Sequence, residues 1–346
     1  MKNMKAAVFS YPPHVEVVDV PDPSPERGEV VIQVEATALC GTDLRITRRG
    51  HGTIAEGEKR VLGHEVVGRV AALGEGVEGF SEGEAVAIAP NFGCGKCLYC
   101  IQGNTHHCPE TKAMGITYDG GFARFMRVPE RAVRQGNIFP LWDGAEYTAL
   151  SFVEAFACVV HGFLPLQVKT EDRVLIYGAG PIGMMFAELA QLRGAREVWV
   201  ADLSRDRLET ASSRGAGIIP VKETPVNEVI SGADVVVVAA PAPRAQQEAL
   251  EIASVYGRVN FFGGLPPQVK EVPLHSNVIH YKELMVTGTT KSNNYHFRLA
   301  LDFLRHGQID LSYLASHVLP LEKIEEGLAL MESQKSLKVV LKPNTD

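Results

Sequence analysis

The stretch VLIYGAGPIGMMFAELAQLRGAREVWVAD, residues 174–202, reads as an apolar strand, a glycine-containing turn, a helix and a second strand. Further apolar strands, separated by helical patterns, follow it along the chain. Their sequences are GIIPV, DVVVVAA (234–240), RVNFFGG (258–264) and LMVTGT (284–289). Six strands that alternate with helices predict an α/β fold with a doubly wound parallel sheet.

The turn in this stretch is GAGPIG, residues 178–183, a G-x-G-x-x-G pattern. It follows a strand and opens a helix, and Asp202 ends the next strand, which is the context of the Rossmann dinucleotide fingerprint. In that fingerprint Gly178 makes the tight turn, Gly180 admits the pyrophosphate and Gly183 lets the helix pack on the sheet. The helix N-terminus binds the phosphates through its free N–H groups. The predicted cofactor-binding residues are Gly178, Gly180, Pro181, Ile182, Gly183, Asp202 and Arg207.

Asp202 bears on the choice of cofactor. A carboxylate at this position accepts hydrogen bonds from the ribose hydroxyls of NAD and repels the 2′-phosphate of NADP. Arg207, in the following segment DLSRDR, could weaken that repulsion, stack on the adenine, or be a solvated helix residue. We therefore predict that the cofactor is NAD.

The first half of the chain has a different pattern, in which short strands are broken by Gly and Pro. These strands are VEVVDV, EVVIQVEATAL, HEVVGRVAAL, EAVAIAP and FARFMRV. They predict a barrel-like β domain. The composition changes between Pro165 and Asp172, and the C-terminal part is mixed, with a helical HFRLALDFLRHG and a strand-like LKVVLKP. Two domains agree with a length of 346 residues, because one core stops growing at roughly 250–300.

Composition excludes several classes of partner. The net charge of -7 offers no basic surface for nucleic acid or an anionic membrane. No apolar run approaches the roughly 18 residues of a membrane helix, and the apolar part of MKNMKAAVFS is too short for a signal peptide. We predict a cytoplasmic protein without nucleic-acid or membrane partners. Its 6 cysteines are then thiols or metal ligands and not disulfides.

Four of these cysteines lie in GCGKCLYCIQGNTHHCPE, residues 93–110. Their spacing is Cys94-x2-Cys97-x2-Cys100-x7-Cys108, and Cys-x2-Cys is a spacing at which two thiolates bind one tetrahedral zinc ion. Four thiolates form a closed shell, so this site is predicted to be structural. His106 and His107 lie in the same run, and either could replace a thiolate.

A second set of possible ligands lies outside this run. Cys40 stands in ALCGTDLR, His64 and Glu65 stand in VLGHEVVG, and Glu154 stands in SFVEAFACVVHGF. A thiolate, an imidazole and a carboxylate from separate segments can hold zinc and leave a position for substrate. Considered singly, each residue is a weak signal. Cys40 could be an inert buried cysteine, and His64 could be a core histidine whose hydrogen bonds are satisfied.

Taken together, CGTD, GHE, the four-cysteine run and GAGPIG resemble, in this order and spacing, the zinc-containing medium-chain dehydrogenase/reductase family. The resemblance spans nearly the whole chain and is strongest to the sorbitol-type polyol and threonine dehydrogenases. It implies a GroES-like catalytic domain at 1–155, with a structural zinc lobe at about 90–110. It also implies a Rossmann NAD-binding domain at 156–290 and a C-terminal segment, 291–346, that returns to the catalytic domain.

The resemblance assigns roles to single residues. Cys40, His64 and Glu65 become ligands of a catalytic zinc, and Glu154 becomes a fourth ligand or a partner of the zinc-bound water. Thr42 resembles the family hydroxyl that takes the substrate proton, and Asp43 would orient the His64 ring. The second, structural zinc is then held by Cys94, Cys97, Cys100 and Cys108, with the two neighbouring histidines as bystanders. Two zinc ions per chain are implied.

Arg45 is the sharpest departure from the family pattern. Many members carry a histidine here that completes a proton relay, and a guanidinium cannot shuttle protons at neutral pH. We place Arg45 in a loop after Cys40, together with Arg48, Arg49 and His51. Arg45 could bind an anionic group of the substrate, contact the cofactor, or be a surface residue.

The resemblance implies hydride transfer from a secondary alcohol (a polyol, sugar or sugar-derived alcohol) to NAD. Two alternatives remain: an L-threonine 3-dehydrogenase-like activity, and a zinc-stabilised NAD-binding protein without turnover. A homodimer or homotetramer is also implied. RVNFFGGLP and LMVTGT would be the edge strands at the interface, because an unpaired edge is a liability.

Overall fold

The computed structural model describes residues 2–344. The chain divides into two compact units. The first runs to Ala157 and resumes at Lys291, and the second comprises Cys158–Thr290.

The strands follow in chain order: β1 (Asn3–Ser10), β2 (His14–Pro21), β3 (Val30–Ala38), β4 (Arg60–Val61), β5 (Glu65–Leu73), β6 (Ala85–Ile88), β7 (Asn91–Phe92), β8 (Lys112–Ala113), β9 (Phe125–Val128), β10 (Ile138–Pro140), β11 (Arg173–Tyr177), β12 (Glu197–Asp202), β13 (Gly217–Pro220), β14 (Ala233–Val238), β15 (Ala253–Phe261), β16 (Met285–Gly288), β17 (Ala315–Pro320) and β18 (Lys338–Lys342). The α-helices are α1 (Gly41–Arg49), α2 (Leu98–Ile101), α3 (Glu130–Arg134), α4 (Tyr147–Leu150), α5 (Val153–Phe163), α6 (Pro181–Leu192), α7 (Arg205–Ser213), α8 (Val226–Val229), α9 (Pro243–Ile252), α10 (Ser276–Lys282), α11 (Asn294–Arg305) and α12 (Ile324–Glu332). Short 3-10 helices cover Thr105–His107, Leu164–Leu166, Ser312–Leu314 and Leu321–Lys323. Across the described part of the chain, every helix is too short or too polar to span a membrane.

The second unit is built on one parallel sheet of six strands in the order β13-β12-β11-β14-β15-β16. This is the strand order 3-2-1-4-5-6 of the doubly wound dinucleotide fold. The strands are apolar because helices cover the sheet, and residues such as Leu175 and Val236 are fully buried in its core. The predicted α/β fold with a Rossmann-type sheet is therefore confirmed.

One detail of that prediction is wrong. The segment RVNFFGG was expected to be an edge strand, but its strand, β15, pairs with β14 on one side and β16 on the other. The sheet ends at β16, which comes from LMVTGT. Both segments are similarly apolar, and only the pairing order distinguishes an interior strand from an edge.

The first unit is rich in antiparallel strands, as its pattern of short strands predicts. Its largest sheet has the order β10-β6-β5-β3-β18-β17, and β9 also pairs with β3. A second sheet joins β2, β1 and β4. The central strand β3 therefore pairs with β5, which begins at the glutamate of GHE, and with β18 from the C-terminal segment.

Helix α1 corrects the interpretation of the segment after Cys40. That segment was predicted as a loop, but Gly41–Arg49 is helical, with Cys40 at its N-cap. Its buried residues Asp43, Ile46 and Thr47 follow a helical spacing on one face. The charged side chains of Arg45, Arg48 and Arg49 mask that spacing in the sequence.

Candidate metal centres and nucleotide-binding loop

The glycine-rich loop of the second unit has the geometry that its sequence predicts. Gly178 follows β11 with φ 109, a conformation that L side chains rarely adopt. A Cβ atom at Gly183 would lie 1.7 Å from the carbonyl oxygen of Gly178. Helix α6 begins at Pro181 with Gly180 as N-cap, so its first N–H groups lack intrahelical acceptors and can bind an anion.

The space beside Gly180, at the start of this helix, is open. A Cβ atom built at Gly180 would meet only one atom within 4 Å, the Nη1 of Arg207 at 3.9 Å. The loop thus combines open space, a helix N-terminus and a guanidinium. These features fit the pyrophosphate of a dinucleotide.

We expect Gly183→Ala to lower both stability and dinucleotide affinity. The added methyl group overlaps a backbone carbonyl, so α6 has to move away from β11, at a cost of about 1–3 kcal/mol for overpacking. Gly264→Ala is the matched control, because a Cβ there meets nothing within 4 Å. Thermal melting and NAD titration of both variants measure the effect. Equal behaviour of the two variants would contradict the close approach at Gly183.

Asp202 contacts the same loop through its side chain. Its Oδ2 accepts a hydrogen bond from the backbone N–H of Ala179 at 2.6 Å, and its Oδ1 accepts one from that of Ser204 at 2.8 Å. The carboxylate is therefore held in one orientation by the backbone of both adjoining turns. Each oxygen keeps a second lone pair that can accept a ribose hydroxyl.

The four cysteines of the lobe converge on one point. The sulfur atoms of Cys94, Cys97, Cys100 and Cys108 all lie within 4.8 Å of one another. Backbone N–H groups point at these sulfurs, including that of Cys94, which donates to Cys108 Sγ at 3.2 Å, and that of Glu110, which donates to the same atom at 3.3 Å. His106 and His107 are not among the converging ligand atoms.

The electrostatics of this lobe fit a cation. The backbone N–H groups of Lys96 and Cys97 lower the pKa of Cys94 to about 6. Burial raises the pKa of Cys100 to about 12, and its hydrogen bonds to the neighbouring cysteines add to the increase. The thiolate of Cys94 is therefore favoured, whereas that of Cys100 is disfavoured unless positive charge lies beside it. A zinc ion would supply that charge and find four soft ligands at suitable spacing.

A second cluster forms in the first unit from Cys40, His64 and Glu65. One ligand atom of each residue lies within 4.8 Å of the others. Strand pairing explains the convergence, because Ala38 of β3 lies opposite Glu65 of β5. Continuing this antiparallel register brings the segment after β3, which contains Cys40, beside the segment before β5, which contains His64.

The buried Glu65 carboxylate fits a metal ligand. Its side chain is fully buried, and Oε1 has no hydrogen-bond partner among residues 2–344. An orphaned carboxylate oxygen next to a thiol and an imidazole is costly, unless a cation completes the group. Burial raises the pKa of Glu65 to about 7, partly offset by the charge of Lys338 and reinforced by that of Glu154.

Asp43 holds the neighbouring ligands in place. Its Oδ2 accepts a hydrogen bond from the backbone N–H of Cys40 at 2.9 Å, and its Oδ1 lies 3.3 Å from His64 Nδ1. Burial lowers the pKa of His64, but the negative charges of Asp43 and Cys40 outweigh it and raise the pKa well above the usual value. The pocket therefore favours positive charge, and Asp43 lies where the sequence analysis expects it.

Lys338 is a site residue that the sequence analysis missed. Its side chain is only 6% exposed, and Nζ donates hydrogen bonds to Glu65 Oε2 and to the carbonyl oxygen of Leu39. It also lies 5.6 Å above the ring of Phe152. Burial opposes its charge, but Glu65 and Cys40 raise the pKa of Lys338 and keep it protonated. The Glu65 carboxylate thus has one oxygen bound to a cationic side chain, whereas the other accepts no hydrogen bond from the described residues.

The remaining predicted residues lie nearby. Glu154, at the start of α5, is buried, and its charge acts on both Glu65 and Lys338. It does not belong to the set of mutually close ligand atoms, which contains only three residues in the described chain. Thr42 lies on α1, and its Oγ1 accepts a hydrogen bond from Arg45 Nη2 at 3.0 Å.

Two family descriptions match the chain. The Alcohol dehydrogenase GroES-like domain matches residues 26–137, and Zinc-binding dehydrogenase matches residues 181–306. Sorbitol dehydrogenase of Bacillus subtilis (strain 168) is 31% identical, over 99% of this chain and 98% of that protein. L-threonine 3-dehydrogenase of Xanthomonas oryzae pv. oryzae (strain MAFF 311018) is 34% identical, over 94% of this chain and 95% of that protein.

Solved structures show the same fold over the whole length. An alcohol dehydrogenase of Escherichia coli CFT073 complexed with NADH has a TM-score of 0.90 at 28% identity, covering 99% of this chain and 100% of that one. A zinc-binding dehydrogenase of Sinorhizobium meliloti 1021 bound to NADP has a TM-score of 0.91 at 28% identity, with the same coverage. Galactitol-1-phosphate dehydrogenase of Escherichia coli has a TM-score of 0.87 at 26% identity, covering 98% of this chain and 100% of that one.

Proposed function

Because the chain belongs to the zinc-containing medium-chain dehydrogenase/reductase family, we propose that it oxidises a secondary alcohol of the polyol or sugar type with NAD. Membership confirms the resemblance carried by the motifs. The chain is thus an alcohol dehydrogenase-type oxidoreductase with a zinc-binding and a dinucleotide-binding part. The substrate class and the choice of NAD are the parts that we add.

The observation that carries the proposal is the cluster of Cys40, His64 and Glu65. These three residues supply one sulfur, one nitrogen and one oxygen within 4.8 Å, which is the ligand chemistry of a catalytic zinc with a position left for substrate. A closed structural site such as the four-cysteine lobe has no such position. Glu154 would serve as a further ligand or as the partner of a bound water.

The residues of the candidate site have separate roles in the proposed reaction. Bound zinc would lower the pKa of the substrate hydroxyl, and NAD would accept the hydride. Thr42 is placed to take the hydroxyl proton as it gives up its own, since its Oγ1 has a lone pair besides the one that Arg45 engages. Arg45 cannot pass that proton on, so the proton leaves to water and not along a side-chain relay at this position. Asp43 keeps the His64 ring in its ligating orientation.

A turnover assay tests the proposal. Zinc-loaded protein is mixed with NAD or NADP and a panel of polyols, sugar alcohols, simple secondary alcohols and L-threonine, and the absorbance of NADH or NADPH is followed. Oxidation of polyols or sugar alcohols supports the proposal. Oxidation of L-threonine alone would favour the second candidate, which the threonine dehydrogenase relatives support. Absence of turnover with every alcohol and both cofactors would leave a zinc-stabilised NAD-binding protein.

Similar structures contain NADH in one case and NADP in another, so they do not select between the two cofactors. The proposed preference for NAD therefore rests on Asp202. We expect Asp202→Gly to lower the NAD-to-NADP ratio of kcat/KM by roughly tenfold or more, since the repulsion of the 2′-phosphate is removed. Asp202→Asn retains the shape and an acceptor for Ala179, and so separates loss of charge from loss of loop structure. A wild-type preference for NADP would contradict the role of Asp202 and point to Arg207.

Self-association as a homodimer or homotetramer remains a proposal. The edge strand β16 is the segment of LMVTGT that would pair with a second copy, since one of its sides pairs with no strand in the part of the chain that the structure describes. Light scattering at micromolar concentration tests it, and a monomer would contradict it.

A further inference from the structure

Two basic side chains, those of Arg45 and Lys291, act electrostatically on the imidazole of His51, and Arg45 contacts the candidate proton acceptor. Arg45 is exposed on α1, and its Nη2 donates to Thr42 Oγ1 at 3.0 Å. Arg45 and Lys291 are both close enough to His51 for their charges to act on its imidazole. These three residues, Arg45, His51 and Lys291, are called the basic cluster below.

Two members of the basic cluster, His51 and Lys291, have a constrained backbone. The Tyr11 hydroxyl accepts from the N–H of His51 at 2.9 Å and lies 3.2 Å from its carbonyl oxygen. Lys291 has φ 58, a left-handed conformation that costs a non-glycine residue free energy. His51 is therefore tied to Tyr11 through its backbone, and Lys291 occupies a strained backbone position.

The imidazole of His51 is prepared to donate. Burial lowers its pKa, and the charges of Arg45 and Lys291 lower it further, so the ring is neutral at pH 7. The backbone N–H of Thr53 donates to Nδ1 at 3.3 Å. The Thr53 hydroxyl lies 2.7 Å from the same Nδ1. In the tautomer in which Nδ1 accepts from Thr53, the single proton of the neutral ring lies on Nε2, where it can be donated to a ligand.

Arg45 differs from the next arginine on the helix. Arg48 forms ion pairs with Glu325 and Glu332 at 3.3 and 3.4 Å. Arg45 forms no ion pair within residues 2–344, and the Thr42 hydroxyl takes one of its five N–H donors. The guanidinium therefore offers a bidentate pair of N–H groups for an oxyanion, next to the atom that would receive the substrate proton.

We propose that the basic cluster binds an anionic group of the substrate, so that the enzyme acts on a phosphorylated or carboxylated polyol and not on the neutral parent. The inference rests on the proposed function, because the cluster adjoins Thr42 and not a separate pocket. Arg45 grips the anion bidentately, His51 donates from Nε2, and Lys291 adds charge. One of the similar structures is a dehydrogenase of galactitol 1-phosphate, a substrate of this chemical class.

Kinetics with matched substrate pairs test the proposal. With NAD saturating, kcat/KM is measured for galactitol 1-phosphate against galactitol and for gluconate against sorbitol, in wild type, Arg45→Gln and Arg49→Gln. We expect wild type to favour the anion of at least one pair, and Arg45→Gln to lower that preference about 10- to 100-fold, the range for a charge-assisted hydrogen bond. Arg49→Gln is the control, an exposed arginine on the same helix. The two pairs distinguish phosphate from carboxylate.

The outcomes separate this inference from the function on which it rests. Efficient oxidation of the neutral polyols, unaffected by Arg45→Gln, would uphold the proposed function and overturn the anion site. A raised KM for NAD in Arg45→Gln with an unchanged substrate preference would assign Arg45 to the cofactor and also overturn it. Failure of every alcohol, charged or neutral, would defeat the proposed function itself.

A binding measurement does not depend on turnover. Inorganic phosphate is titrated calorimetrically into wild type and Arg45→Gln, each saturated with NAD so that the glycine-rich loop is filled. We expect wild type to bind phosphate and Arg45→Gln to bind it at least tenfold more weakly. Equal binding, or none, would overturn the basic cluster as an anion site.

Discussion

Replacing Cys40 by serine should reduce turnover about a thousandfold or more, the equivalent of several kcal/mol of lost transition-state stabilisation, and change the melting temperature little. Cys40 contributes the thiolate of the three-residue cluster, and a hydroxyl is a far weaker zinc ligand than a thiolate. The fold around it does not depend on the metal, because β3, β5 and β18 are held by their own strand pairing.

Cys97→Ser should have the opposite effect, with a larger loss of stability than of activity. The lobe at residues 93–110 has few elements of its own, the short helix α2 and a 3-10 turn, so the metal supplies much of its folding free energy. We expect a large drop in the melting temperature with the activity per folded molecule less affected. Each variant should retain one zinc by elemental analysis, against two in wild type. Equal melting losses in the two variants would contradict this division of roles.

The second large effect is expected at Lys338. Lys338→Met should destabilise the protein by about 3–5 kcal/mol, because it leaves the buried Glu65 carboxylate without its cation. It should also change zinc retention, since the carboxylate loses the donor that fixes one of its oxygens. Chelator competition on the zinc-loaded protein measures the latter without any assay of activity.

A double-mutant cycle identifies the cause of that loss. Glu65→Gln removes the charge that Lys338 compensates, so we expect Lys338→Met/Glu65→Gln to be less destabilised than the sum of the single changes by about 1–3 kcal/mol. Lys335→Met is the control, an exposed lysine shortly before β18. Strictly additive effects in urea unfolding would show that Lys338 and Glu65 are not energetically coupled.

The sequence by itself determined those features whose residues lie close together along the chain. The four-cysteine lobe and the glycine-rich loop each occupy fewer than twenty residues, and their spacing restricts the geometry to what a tetrahedral metal or a pyrophosphate needs. The alternation of strands and helices after residue 170 predicted the doubly wound sheet for the same reason. Cys40, His64 and Glu65 became recognisable as a set only through resemblance to the family, since they come from two separate segments.

Only the tertiary structure decided which distant residues meet. Lys338 lies 273 positions after Glu65 and stands in SLKVVLKP, where a lysine is expected to face solvent because charged side chains are rarely buried. It is buried because β18 pairs with β3, with Val340 opposite Ala38, and β3 in turn pairs with β5. The helix that carries Arg45, and the proximity of His51 and Lys291 to it, depend likewise on packing between separate segments. Strand register and packing arise from the balance of the whole core, which no local spacing records.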